Sequence, residues 1–324
     1  MFNYSSLLEI VNKELQNCNL IKEPKELYEP IEYILSIGGK RLRPVLMLMA
    51  YNLFSDNIQN AIKPALGLEI FHNFTLLHDD IMDKSEKRRN KPTVHKKWSE
   101  NIAILSGDAM SILAYKFICS CENSKLPQVL DVFTKTALQV CEGQQFDMNF
   151  ETSQNVSIEE YLKMIELKTS VLLAGSLKIG AIIGNADAED ANNLYDFGIN
   201  IGLAFQLQDD ILDVYGDTDK FGKNIGGDIV SNKKTFLLLK AMEVANAEKR
   251  EELLKWINLK EFDRSEKIEA VTSIYKEFKV KELAEDLKNE YFEKSLINLD
   301  KIKSPNSRKI HLLSISKKLM NREY

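Results

Sequence analysis

The stretch Phe71–Asp83, FHNFTLLHDDIMD, is an apolar helical run that closes on three aspartates, Asp79, Asp80 and Asp83. At about 100° per residue, Asp79 and Asp83 fall roughly 40° apart around a helix, and Asp80 falls roughly 60° from Asp83. All three carboxylates therefore share one face. As structure alone this is a poor arrangement. Asp is a weak helix former, like charges four residues apart repel, and the C-terminal end of a helix disfavours anions. The arrangement makes sense if a cation sits there.

The pattern recurs at Phe205–Asp213, FQLQDDILD, where Asp209, Asp210 and Asp213 repeat the spacing at the end of another apolar run. One such triad is ordinary surface decoration. Two triads, each followed by a loop rich in lysine, point to a shared task. Carboxylate oxygens suit hard cations, and Mg²⁺ keeps part of its water shell and prefers to be shared with substrate phosphates.

Working outward, residues 5–20 and 24–37 read as amphipathic helices, the second stopping at Gly38-Gly39. Lys40-Arg41-Leu42-Arg43 follows, with Pro44 in the first turn of the next helix. Glycine backbone beside several cations reads either as a helix cap or as an anion site. Pro64 is expected to open the helix of the first triad, and His72 lies on that helix, as a core residue or as a ligand. Residues 84–98, KSEKRRNKPTVHKKW, set seven Lys or Arg directly after Asp83, as a solvated loop or as a phosphate clamp built on Arg88 and Arg89. Ser157 and Glu160 form a capping box ahead of a helix over 158–184. That helix carries Lys168 and Thr169 in apolar surroundings, where a lysine needs a partner. Gln206 lies one turn before Asp209. The loop after the second triad places Lys223, Asp228 and Lys233 near it.

The bulk numbers fit this reading. The chain of 324 residues is 44% apolar and 28% charged, as in a soluble globule. A net charge of -5 argues against a general nucleic-acid binder. The four cysteines show neither paired spacing nor a disulfide framework, which fits a reducing, cytoplasmic setting. No signal peptide is read at the N-terminus, and no apolar run approaches the roughly 20 residues that cross a bilayer. Strand and hairpin signals are nearly absent. The expected fold is all-α: one helical bundle over residues 1–324, with both triads facing a central apolar cavity.

Taken together, GGKRLRP (38–44), LLHDDIMD (76–83), RRNKPTVH (88–95), GDAMS (107–111), GQQFD (143–147), KTS (168–170), GLAFQLQDDILD (202–213), GDTDKFGKNIGGD (216–228) and KKT (233–235) resemble the trans-isoprenyl diphosphate synthases, or polyprenyl synthetases. The resemblance covers roughly the central 200 residues in order, and it implies a fold of the isoprenoid synthase type. It also implies head-to-tail condensation of isopentenyl diphosphate with an allylic diphosphate. Under it, Asp79, Asp80, Asp83, Asp209, Asp210 and Asp213 hold Mg²⁺ on the allylic diphosphate. Lys40, Arg43, His72 and Arg89 bind isopentenyl diphosphate, and Arg88, Lys168 and Lys223 bind the allylic diphosphate, with Lys233 close by. Thr169 and Gln206 turn oxygens toward the developing carbocation. Phe74, and Phe71 one turn further from the triad, shorten the product to a farnesyl or geranylgeranyl chain. A homodimer is implied as well. Two departures stand out: Asn90 replaces a glycine after the paired arginines, and the C-terminus lacks a basic ending apart from Arg322 and nearby lysines. A longer-chain synthase and a class I terpene cyclase are the alternative readings.

Overall fold

A computed structural model describes residues 2–153, 155–216 and 225–321 of the chain. Helices dominate: α1 (Tyr4–Asn17), α2 (Lys25–Ser36), α3 (Leu42–Asn52), α4 (Gln59–Met82), α5 (Val94–Lys97), α6 (Glu100–Ile118), α7 (Leu126–Thr152), α8 (Ile158–Ile165), α9 (Val171–Ile183) and α10 (Ala188–Tyr215). After these come α11 (Gly227–Val230), α12 (Phe236–Val244), α13 (Ala247–Asn258), α14 (Arg264–Glu277), α15 (Val280–Lys301) and α16 (Asn306–Asn321). The all-α expectation holds. Among the described residues the only strands are two short ones, β1 (Lys87–Arg88) and β2 (Lys91–Pro92), paired antiparallel. None of the described helices is long and apolar enough to cross a membrane.

Contacts divide the chain into two compact units. The first comprises Met1–Thr134, Gly175–Tyr195 and Ile302–Ile315. Its axis is α4, whose residues are buried nearly all the way round, from Ala61 and Ile62 through Leu66, Leu68, Ile70 and Phe71 to Leu77. A helix that is apolar on every side belongs in an interior. It packs closely on α6: a Cβ at Gly67 would lie 3.0 Å from the Ala114 carbonyl oxygen, tighter than an ordinary contact. Pro64 does not open α4 as expected. The helix begins at Gln59 and keeps Pro64 inside it, giving up one backbone bond early in the helix. Pro44 does sit in the first turn of α3.

The second unit comprises Lys135–Ala174, Asp196–Lys301 and Ser316–Tyr324. Its core joins Tyr161 and Ile165 with Leu203, Leu207 and Ile211 of α10, and with Leu237, Leu253, Ile274 and Val280. The expected capping box is present at the start of α8: Glu160 N–H donates to Ser157 Oγ at 3.1 Å, and Ser157 N–H donates to Glu160 Oε2 at 2.8 Å. The helix read over 158–184 is not regular. Glu166–Ser170 form a π turn between α8 and α9. Such turns insert one extra residue into a helix and occur frequently at functional sites. Gly143 of α7 permits it, because a Cβ there would meet the Lys168 backbone nitrogen at 2.2 Å.

Candidate functional site

In the first unit, the last turn of α4 presents Asp79 and Asp80, and Asp83 caps it. Asp80 is buried, with 2% of its surface exposed. The guanidinium of Arg88 forks onto it: Nε donates to Oδ2 at 2.8 Å and Nη2 to Oδ1 at 2.9 Å. The same Nη2 stands 3.7 Å from Asp79 Oδ2. The fork is the bidentate geometry that favours Arg over Lys. Arg88 thus reaches the triad from the end of β1, just before the turn that joins it to β2. That turn has Arg89 at φ 51° and Asn90 at φ 63°. Two left-handed residues in a row make the type I′ hairpin turn, for which Gly and Asn are the suitable residues. Asn90 in place of glycine is therefore a conservative departure.

The basic run after Gly38-Gly39 meets the same region. The Arg89 side chain donates to the Gly38 carbonyl, and a Cβ at Gly39 would lie 2.5 Å from Arg89 Nη1. Gly39 itself holds φ 143°, so glycine serves here both for conformation and for close approach. Arg43 Nη1 donates to Nε2 of His72 at 2.9 Å. An arginine has no acceptor, so His72 is neutral with its proton on Nδ1. Burial, followed by the charges of Arg43, Arg89, Arg88 and Arg41, holds the His72 pKa well below its ordinary value. Burial also pushes the Arg43 pKa down to about 10, against the opposing pull of Glu69. Four guanidiniums around a neutral imidazole form a concentration of positive charge suited to an anion of several charges. Lys40, Arg43, His72 and Arg89, predicted as one group, share this unit, and Lys40 is exposed at its edge.

The second unit repeats the logic with different partners. Asp210 is the buried member of its triad, with 4% exposed, and the Tyr161 hydroxyl donates to its Oδ2. Gln206 Nε2 donates to Asp210 Oδ1 at 3.4 Å, and Thr169 Oγ1 donates to Gln206 Oε1 at 3.4 Å. The π turn thus links Thr169 to the triad through Gln206. Burial pushes the Asp210 carboxyl up to about 7; the Tyr161 bond opposes the shift, Asp228 adds to it, and Lys233 and Gln206 oppose it. Asp213 Oδ2 accepts from the Asp228 N–H at 2.8 Å, and its backbone carbonyl accepts from the Gly226 N–H at 2.7 Å. Lys168 is not enclosed as its neighbours in sequence suggested. Its side chain is 26% exposed and pairs with Asp147 of GQQFD, Nζ to Oδ2 2.6 Å. Lys223 and Arg322 lie outside the described residues.

Among the described residues, no three His, Cys, Asp or Glu side chains converge into a closed metal cage. The donors present are nonetheless those of a hard cation: acid oxygens at the end of an apolar helix, with the inner carboxylate of each triad, Asp80 and Asp210, buried. Mg²⁺ needs only one or two such carboxylates when phosphate and water complete its shell.

Sequence reasoning missed Tyr161, Asp147, Arg41 and Glu69. Asp147 lies inside a quoted motif, and Arg41 inside the basic run, but their partners are 21 and 28 residues away. Nothing in the local pattern marked Tyr161 as anything but core.

Residues 24–275 match the polyprenyl synthetase family. The chain belongs to the polyprenyl synthetase family. It is 42% identical over 225 residues, 69% of each chain, to geranylgeranyl diphosphate synthase of Methanosarcina mazei. A crystal structure of a geranylgeranyl pyrophosphate synthase superposes with TM-score 0.95 at 44% identity, covering 100% of both chains. Another, from Corynebacterium glutamicum and complexed with isoprenyl diphosphate and magnesium, superposes with TM-score 0.87 at 25% identity, covering 99% of this chain and 100% of that one. The synthetase is accordingly a trans-prenyltransferase of isoprenoid biosynthesis with the all-α isoprenoid synthase fold.

Proposed function

We propose that the two aspartate triads serve one allylic diphosphate through Mg²⁺, and that Lys40, Arg43, His72 and Arg89 bind isopentenyl diphosphate. The observation that carries this reading is the set of arginines gathered round neutral His72 on the same helix as Asp79 and Asp80. A diphosphate is the common substrate group whose charge and oxygen count answer both features. Arg88, which forks onto Asp80, can also hold a phosphate oxygen, with Lys168, Lys223 and Lys233 serving the allylic diphosphate.

The chemistry follows from these assignments. Bound magnesium would stabilise the negative charge that develops on the departing diphosphate. The cationic side chains do the same from fixed positions. The allylic C–O bond breaks, and Thr169 and Gln206 turn oxygen toward the cation. The double bond of isopentenyl diphosphate supplies the electron pair for the new C–C bond, and a proton leaves to the released diphosphate. The product is a short-chain trans-prenyl diphosphate.

Phe74 and Phe71 set its length. Phe74 lies five residues before Asp79, about 7.5 Å along the helix. Its ring stands 5.5 Å from that of Phe71, which is wedged edge-on against Phe133 at 5.2 Å. This backed aromatic stop supports a farnesyl or geranylgeranyl product, and the similarity to the Methanosarcina mazei enzyme favours geranylgeranyl. The free thiols of Cys18, Cys119, Cys121 and Cys141 suit a cytoplasmic setting. The proposed assembly is a homodimer. Leu105 and Ile112, seven residues apart on α6, are 60% and 70% exposed and supply an apolar face for it.

Incubation of the purified chain with isopentenyl and farnesyl diphosphates, with and without Mg²⁺, tests the whole reading. Chain-lengthened product that needs the metal and is lost in Asp79→Ala and Asp209→Ala is the expected result. Near-normal turnover in either variant would remove the triads from the mechanism.

A further inference from the structure

Arg41 stands in the basic run, but its side chain turns inward and is 6% exposed. Its backbone holds φ 48°, a left-handed position at the start of α3. The guanidinium is fully engaged with protein. Nη1 donates to Oε1 of Glu69 at 2.7 Å, Nη2 to the Leu35 carbonyl at 2.5 Å, and Nε to Asn12 Oδ1 at 3.4 Å. Glu69 is 3% exposed and takes a second bond from Asn73 Nδ2 at 2.9 Å.

For stability this arrangement is a poor choice. Desolvation offsets most of the attraction in a buried ion pair, and a non-glycine residue in the left-handed region is strained. A glycine at position 41 would make the turn without either cost. What a glycine would not do is tie the loop to α4. Glu69, His72 and Asn73 lie at i, i+3 and i+4 on α4 and so share one face. The Arg41–Glu69 pair fastens the loop to that face two residues before Arg43, whose Nη1 meets His72 at 2.9 Å. The rigid, planar fork of the guanidinium reaches a carboxylate, a backbone carbonyl and a side-chain amide at once from fixed directions. Glu69 also sets a negative charge near Arg43, the one influence that opposes burial there.

We propose that Arg41 and Glu69 are a positioning pair for isopentenyl diphosphate: they touch no substrate, and they hold the run Lys40–Arg43 on α4, with Arg43 against His72, so that the anion site exists before substrate arrives. The inference rests on the reading of Lys40, Arg43 and His72 given above.

The test is steady-state kinetics on the full chain, each diphosphate varied in turn at saturating Mg²⁺, with thermal denaturation alongside. The variants are Glu69→Gln and the milder Arg41→Lys, which keeps charge and fold while losing the fork. Arg43→Gln serves as the direct-contact reference. Both pair variants should raise KM for isopentenyl diphosphate by about tenfold or more, with kcat and the allylic KM within about threefold of the parent. A purely structural role would instead lower the denaturation midpoint and depress the use of both substrates together, and that outcome overturns the proposal. If Arg43→Gln raises the isopentenyl KM and neither pair variant does, the positioning role fails while the site assignment stands. If Arg43→Gln leaves that KM unchanged, the site assignment itself fails and the inference with it.

Discussion

The hydroxyl of Tyr161 donates to the carboxylate of Asp210, and both side chains are buried. The phenol is a dependable donor, because burial and the neighbouring Asp210 keep its pKa well above the usual tyrosine value. Asp80, its counterpart in the other triad, is held by Arg88 instead. One inner aspartate is therefore forked by a cation, and the other takes hydrogen bonds from the neutral side chains of Tyr161 and Gln206.

Tyr161→Phe should expose that difference. Removing the hydroxyl leaves a buried carboxylate with one acceptor position unmet, at a cost of about 1–3 kcal/mol. Urea denaturation without metal should register the loss. The Mg²⁺ concentration giving half-maximal activity should rise too, because the carboxylate is held less firmly for its ion. A variant with an unaltered Mg²⁺ requirement would show that the phenol only fills space.

The neutral state of His72 carries a signed consequence for pH. Its pKa in the folded chain lies well below the ordinary 6.5, which the unfolded chain retains. Above about pH 6.5 both states are neutral and the group is silent. As pH falls below that value, the unfolded chain takes up the proton first, so stability falls progressively toward the folded-state pKa. Denaturation midpoints measured from about pH 8 down to about pH 5 should show this slope in the parent chain and a shallower one in His72→Gln. Equal slopes would mean that His72 titrates alike in the folded and the unfolded chain.

Phe74→Ala should lengthen the product, read by chromatography of the dephosphorylated chains. The gain should be limited, because Phe71 remains behind it, held by Phe133, which in turn meets Tyr115 at 4.8 Å between ring centroids. Removing Phe71 as well should extend the chain further but at a price in stability, about 3–5 kcal/mol for a buried phenylalanine. An unchanged product distribution in the single variant would remove Phe74 from the control of product length.

What could be read in advance, and what could not, divides along physical lines. The triads, the capping box and the basic loop were legible because their chemistry depends on residue type at short, fixed spacing. Asn90 departs from the family's glycine, and its left-handed backbone shows why it is tolerated. The pairs Tyr161–Asp210, Arg41–Glu69 and Lys168–Asp147 were not legible, since each is made by packing across tens of residues. Nor was the π turn at Glu166–Ser170, because Gly143, which makes room for it, lies on a different helix. Helix periodicity placed Pro64 at the start of α4, and burial of that first turn carried the helix five residues earlier.

Asp79, Asp80, Phe74, Phe71, His72 and Glu69 all stand on α4. A rod advancing 1.5 Å per residue is thus graduated from its acid tip to its aromatic stop. Both marks being cut on one stick, breathing of the surrounding protein does not alter the interval between them. Under the proposed roles, a substitution on α4 one or more turns from Asp79 moves the product stop without moving the carboxylates at the tip.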